Sequence, residues 1–238
     1  MSESTGSIVG VNGNMITVRF DSAVSQNEVA YARLGDLRLM CEVVRVRGLD
    51  ADLQVFEDTT DLSVGDRVDF SGNLLSVELG PGLLTQIYDG LQNPLPELAE
   101  QCGFFLQRGT YLTAIPREPE WAFTPSAEKG ATVTAGETLG TVPEGIFEHR
   151  IMVPFSFRGT YTVEEIASEG SYSVETKIAA LKDENGNRHD VTMLQRWPVK
   201  MPITAYAERL RPEDPLVTKI RIIDTFFPVA RGGTYCIP

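Results

Sequence analysis

Over roughly the first seventy positions, apolar residues come in short runs separated by Gly, Asn and Asp, which is the punctuation of antiparallel strands. Residues 7–11 and 15–20 flank Asn12-Gly13-Asn14, and Asn-Gly between apolar runs predicts a tight hairpin. Further strands are predicted at 39–46, where Cys41, Val43 and Val46 are among the apolar positions, and at 53–56 after a turn at Asp50-Ala51-Asp52. One more is predicted at 67–70, following Leu62-Ser63-Val64-Gly65-Asp66. Such a series of short strands predicts a small closed or nearly closed antiparallel barrel. Residues 71–95, SGNLLSVELGPGLLTQIYDGLQNPL, then predict a strand, a Gly80-Pro81-Gly82 turn and a short helix. Leu83, Leu84, Ile87 and Leu91 share one helical face, Asp89-Gly90 lies near its end, and Asn93-Pro94 is a turn.

From Arg108 to about Asp190 the texture changes to dense turns and short alternating strands. GATVTAGETLGTV at 130–142 has the Gly-x-x-Val spacing of half a lipoyl or biotinyl carrier domain, but no Lys occurs between Gly130 and Thr176 to carry the group. The pattern predicts a β-sandwich insert, with strands at 151–157, 159–163 and 172–177 and a hairpin at Asn185-Gly186-Asn187. Thr192 to Pro198 closes it and returns the chain to the fold begun at Val77.

Near the end, Asp214 and Pro215 suit the cap and first position of a helix whose apolar face carries Leu216, Ile220, Ile223 and Phe227 and which stops at Pro228. After Arg231-Gly232-Gly233, the run Thr234-Tyr235-Cys236-Ile237 reads as a buried parallel strand. A buried strand that ends the chain at Pro238 suggests a molecule cut off at a functional loop.

Composition narrows the function. The 238 residues are 42% hydrophobic and 23% charged, ordinary for a globular protein of two or three compact units. The net charge of −12 repels a phosphate backbone, so nucleic acid is not an expected partner; without further information, the barrel also suits an oligonucleotide-binding module, a reading opposed by that charge and by the lack of interleaved Arg and aromatics. There is no long apolar run or leader at Met1, which points to a cytoplasmic product. Cys41, Cys102 and Cys236 are odd in number and far apart, and are expected as reduced thiols rather than a disulfide or zinc site. His149 and His189 have no second ligand at metal spacing, since Glu148 and Asp190 are immediate neighbours that point to opposite faces of a strand. Glu164-Glu165 and Asp183-Glu184 read as solvated faces. Gly80-Pro81-Gly82 lacks the third glycine of a dinucleotide fingerprint. Arg231 beside Gly232 and Gly233 offers one charge and little preorganisation for an anion. No catalytic, nucleotide-binding or metal-ligating residue is assigned.

DTFFPVARGGTYCIP at 224–238 resembles the catalytic A subunit of V-type and archaeal A-type rotary ATPases, where such a segment runs directly into a G-x-x-x-x-G-K-[ST] phosphate loop. The resemblance extends to the barrel, to 71–95, to the insert, which is similar to the bulge that sets these subunits apart from their relatives, and to TMLQRWPV at 192–199. It departs from the family at Asn93, where many members carry Arg, and at MPIT after Lys200, in place of a more basic run. The resemblance implies a mainly β chain with a partial α/β unit. Residues 1–74 would be the N-terminal barrel, 75–107 the first elements of a P-loop nucleotide-binding domain, 108–191 the bulge, and 192–238 the return to that domain, truncated before the loop. It further implies a subunit that alternates with B subunits in a hexamer, contacts rotor and peripheral stalk, meets the membrane only through the ion-transporting sector, and uses ATP and Mg²⁺ bound beyond Pro238. The residues alone equally allow a self-contained docking protein with no enzymatic activity, and an in-frame Gly-x-x-x-x-Gly-Lys-Thr downstream of Pro238 separates the two.

Overall fold

The computed structural model describes residues 4–206, 208 and 210–236. Six strands, β1 (Ser4–Asn12), β2 (Met15–Phe20), β3 (Glu28–Leu34), β4 (Leu37–Arg47), β5 (Asp50–Val55) and β6 (Arg67–Leu74), close a barrel in the order β1-β2-β5-β4-β3-β6. All pairings are antiparallel, and the seam is closed where Ser4 faces Phe70 and Ser7 faces Arg67. The mainly β class and the barrel expected from the alternating runs are what the chain forms. The β1–β2 hairpin turns at Gly13, whose φ of 60° suits the first loop position of a two-residue turn. Inward positions bury Ile8, Ile16, Val18, Leu39, Val43, Leu53, Val68 and Phe70 as one core, with Phe20 edge-on to Phe70. Gly6 admits no side chain, because a Cβ there would lie 2.6 Å from Val18 Cγ1.

Two details of the barrel differ from the sequence reading. The turn placed at Asp50-Ala51-Asp52 is strand: the chain reverses at Gly48 and Leu49, and Asp50 and Asp52 stay in β5 because Arg19 and Arg47 reach them from the strands on either side, at 2.9 and 2.7 Å. Strand β3 was not predicted, since Ala30 and Ala32 carry a weak strand signal, yet both are fully buried.

Strand β7 (Ser76–Leu79) leaves the barrel and pairs with a strand from far downstream. The helix expected through Leu83, Leu84, Ile87 and Leu91 does not form; the stretch is a series of turns, and the helix is α1 (Leu95–Cys102), which starts after Pro94 and stops at Gly103. Side chains explain the difference. Asp89 accepts the N–H groups of Leu91 and Asn93 at 2.9 and 2.8 Å, and the Gln92 carboxamide pairs with both the N–H and the C=O of Glu78. These bonds compete with a helical ladder and win it for turns, with Thr85 and Gln92 at positive φ.

The next strands make two four-stranded sheets. β8 (Glu120–Pro125), β10 (Thr138–Glu144), β11 (Phe147–Met152) and β13 (Gly170–Ser173) are ordered β11-β10-β8-β13; β9 (Thr132–Val133), β12 (Tyr161–Ile166), β14 (Ala179–Asp183) and β15 (Arg188–Val191) are ordered β15-β14-β12-β9. One core gathers Leu139, Val153, Tyr161, Val163 and Leu181, and a second gathers Ile115, Phe123, Val142, Ile151 and Ile178. β16 (Gln195–Pro198) then returns to β7, with Trp197 opposite Val77.

The stretch from 204 onward is a separate compact unit. Its helix is α2 (Arg221–Phe226), not the longer one expected from Asp214. Pro215 and Leu216 instead form β17 (Pro215–Leu216), which pairs with β18 (Val229–Ala230). Lys219 takes a positive φ, and Asp224 reaches back to accept the N–H groups of Thr218 and Lys219 at 3.0 Å, so the helix begins only after them. No residue of α2 is buried, contrary to the apolar-face expectation. Thr234 to Cys236 lie outside any ladder, in place of the strand predicted there, and Ile237 falls outside the described residues. No helix among the described residues is long and apolar enough to cross a membrane.

Candidate functional site

The glycine turn at 80–82 is where the sandwich meets the strand pair. Gly80 is required by space, since a Cβ would sit 2.8 Å from the Met193 carbonyl oxygen, and Gly82 by its φ of 104°. The turn's amides are not free to cradle a phosphate. Glu144, the last residue of β10, lies on the same inward face as Val142 and is buried. Its Oε1 accepts the Gly82 N–H at 2.7 Å and the Leu84 N–H at 3.0 Å, while Oε2 meets His149 Nδ1 at 2.6 Å. Val142 faces His149 across the β10–β11 hairpin, so Glu144 is the diagonal neighbour of that histidine on one face. His149 is therefore hydrogen-bonded by Glu144, not by the adjacent Glu148.

A second cluster of charge lies where β7 and β16 pair. Glu78 Oε1 takes Arg117 Nη2 at 2.7 Å and Arg196 Nη2 at 3.1 Å, and Arg117 also reaches Glu175 at 2.8 Å. Burial works against ionising Glu78, but Arg117, and then Arg196, hold its carboxyl below the usual range. Together with Tyr31, Asn73 and Gln92, the side chains of Glu78, Arg117 and Arg196 line a cleft of about 580 Å³. Arg117 also donates from Nη1 to the Ile115 carbonyl and is 23% exposed, whereas Arg196, 73% exposed, is the open cation of the group. At the barrel's end, Tyr111 donates to Glu57, Gly109 N–H donates to the same carboxylate at 2.6 Å, and Arg108 caps the carbonyl of Thr60 at 2.7 Å.

The other singled-out residues are dispersed. His189 Nε2 is 3.2 Å from Asp183 and packs edge-on against Phe157 and Tyr161. Asp183 ties the β14–β15 turn by accepting the N–H groups of Asn185 and Asn187, a structural task rather than a solvated one. Glu164 and Glu165 pair with Arg188 on the surface. Asn93 is buried, with its carboxamide bridging Asp89 and the Leu112 N–H. Lys200 reaches the buried Glu42 of β4 at 2.8 Å. The Arg231 and Gly233 N–H groups donate to the Asp214 and Ala230 carbonyls. Cys41 is buried, Cys102 half-buried and Cys236 exposed, all free.

Among the described residues no group of three or more His, Cys, Asp or Glu is placed to hold a metal. In the 80–82 turn the Gly82 N–H is already taken by Glu144. What the arrangement does is join parts. The acids that achieve this are Glu57, Glu78, Asp89 and Glu144, and of these Glu78, between Val77 and Leu79, stands alone in an apolar run.

Two family models match this chain: the β-barrel domain of the ATP synthase alpha/beta family over residues 8–72, and the ATP synthase alpha/beta subunit barrel-sandwich domain over residues 112–200. The V-type ATP synthase alpha chain of Treponema denticola is 58% identical over 238 residues, covering 100% of this chain and 40% of that protein. The V-type ATP synthase alpha chain 1 of Treponema pallidum is also 58% identical over the same length, and that of Borreliella burgdorferi is 54% identical over 233 residues, 98% of this chain and 40% of the relative. The chain thus spans about 40% of the length of these relatives.

Proposed function

This chain belongs to the V-type alpha chains of the ATP synthase alpha/beta family, and from that membership we propose that it works as the N-terminal part of the catalytic subunit of a rotary ATP synthase. The whole subunit would alternate with B subunits in a hexameric head on the cytoplasmic side of a membrane, and would couple ATP synthesis or hydrolysis to proton or sodium transport. Residues 1–74 supply the ring-forming barrel, residues 108–191 a docking surface for the peripheral stalk, and residues 75–107 and 192–238 the opening elements of the nucleotide-binding domain. ATP and Mg²⁺ belong to other parts of that subunit.

The observation that supports this best is the order of parts. A barrel and a barrel-sandwich, each matched to its own domain of one family, follow each other in a chain whose similarity to V-type alpha chains is unbroken from end to end. The clusters described above fit the assignment, because they fasten barrel, strand pair and sandwich together.

The test combines two preparations. A subunit of the relatives' full length, co-purified with B subunits, is expected to form an alternating hexamer by native mass spectrometry and to hydrolyse Mg-ATP. Residues 1–238 alone are expected to give no saturable heat with Mg-ATP in calorimetry. A hexamer without ATPase activity, or saturable nucleotide binding to residues 1–238, overturns the reading.

A further inference from the structure

The geometry points to an anion-binding site built from the Gly82 N–H, the Leu84 N–H and His149, with the Glu144 carboxylate as its resident ligand, so that the sandwich is latched to the 80–84 turn by an internal anion. This goes beyond the assembly role proposed above and does not depend on it. A carboxylate at an inward strand position is costly to bury unless its oxygens are met by donors. Glu144 is 6% exposed, and donors meet both oxygens: two backbone amides on Oε1 at 2.7 and 3.0 Å, and the imidazole on Oε2 at 2.6 Å. Backbone amides converging on one oxygen are a common way for a loop to hold an anion, and charge-assisted bonds of this length are about twice as strong as neutral ones.

The contacts also explain why the latch needs a ligand of this class. The donors come from both sides of a junction, since Gly82 and Leu84 lie 62 and 60 residues before Glu144 while His149 follows it by five. The chain connects the sandwich to the β7–β16 pair at only two crossings, on either side of the eight strands. Besides these crossings, Arg117 joins Glu78 of β7 to Glu175 and the Phe155 N–H donates to Gln195 of β16 at 3.0 Å; the contact at the tip of the β10–β11 hairpin adds a further attachment that limits swing. A hollow of about 160 Å³ lies on His149, lined also by Leu83, Arg150, Phe155 and Gln195.

Chemical rescue tests the site in the 238-residue chain. In Glu144→Ala, amide exchange at Gly82 and Leu84 should speed up by about tenfold or more, the scale of a lost charge-assisted bond, while Val18 and Leu53 in the barrel keep their protection. Excess sodium formate should then restore much of the protection at Gly82 and Leu84, saturably, whereas sodium chloride at equal ionic strength should not. Glu144→Gln, which keeps the shape and one acceptor oxygen, serves if the alanine variant fails to fold. There the Gly82 and Leu84 amide proton resonances should move upfield, as expected when a carboxylate acceptor becomes a carboxamide. Unchanged exchange in Glu144→Ala, equal recovery with chloride, or unmoved amide resonances in Glu144→Gln each overturn the proposal.

Discussion

Tyr111 donates its hydroxyl hydrogen to Glu57, 54 residues earlier, and the same oxygen accepts the Met40 N–H at 2.6 Å. Burial, and then the bond to Glu57, push the phenol well above its ordinary range against the opposing Met40 N–H, so it remains a donor at any physiological pH. With Gly109 on the other oxygen of Glu57, one carboxylate fastens the segment leaving α1 to the rim of the barrel.

Tyr111→Phe therefore removes two bonds at once and leaves the Met40 amide without its partner. The expected loss is about 1–3 kcal/mol, the usual cost of an unsatisfied buried polar group. Urea denaturation monitored by tryptophan fluorescence measures it, and an unchanged midpoint would show that water replaces the phenol without penalty.

Gly140 sits where β10 crosses Phe123, and a Cβ there would come within 2.3 Å of the Phe123 ring and 2.7 Å of the Thr124 carbonyl. Phe123 is fully buried and the carbonyl is backbone, so neither yields easily. Gly140→Ala should cost about 1–3 kcal/mol as an overpacked core site, against a much smaller change for Gly90→Ala, whose surroundings are open and whose φ is not positive. Equal midpoints for the two variants in thermal melts would contradict this.

The three thiols should separate cleanly by rate. Burial pushes Cys41 up to about 12, and its Sγ lies 3.2 Å from the Ala30 carbonyl, to which it donates. Cys236 is exposed and Cys102 half-buried. A disulfide exchange reagent at pH 8 is expected to titrate Cys236 first, Cys102 more slowly, and Cys41 only after unfolding; fast labelling of Cys41 in the native protein would mean that the barrel opens readily.

Asp183 gives the sandwich an acid-sensitive turn. The Asn187 side chain first, then the amides of Asn187 and Asn185 and the ring of His189, hold its carboxyl down to about 2. A folded value below the unfolded one, about 4, means that its stabilising effect is complete above pH 4 and disappears as the pH falls toward 2. The melting-temperature gap between wild type and Asp183→Asn should accordingly be widest near neutrality and close between pH 4 and 2. A gap that stays constant over that range would place the acid sensitivity elsewhere.

How far the sequence could be read depended on whether the signal was local. The barrel was legible because strand alternation and the Asn12-Gly13 turn act over a few residues, and the hairpin at Asn185-Gly186 for the same reason. The helix through Leu83 and Leu91 failed because Asp89 and Gln92 supply competing bonds, those of Gln92 to Glu78, 14 residues away. Helix periodicity near Asp214 failed similarly, since Asp224 fixes where the helix can begin. The clusters that join the parts were invisible, because Glu144 and Gly82, or Glu57 and Tyr111, become partners only through the topology. Of the histidines, the strand alternation correctly ruled out the adjacent acids, and the diagonal Glu144 needed the register of the hairpin to be known.

The pairing of β7 with β16 also sets a timetable. Glu78 and Arg196 are 118 residues apart, so during synthesis at the usual pace β7 waits on the order of ten seconds with an unpaired edge before its partner emerges. The barrel, complete by Leu74, is able to close first, and the sandwich second, each from contacts within itself. When the sandwich has formed, its two ends are already near each other, and the long loop that β16 must close has shrunk to a short one. A nascent chain released before residue 195 should thus carry a folded barrel and an exposed β7 that invites chaperones or a second chain, and arrest-peptide force profiles should show two early folding steps and a late one as β16 leaves the ribosome.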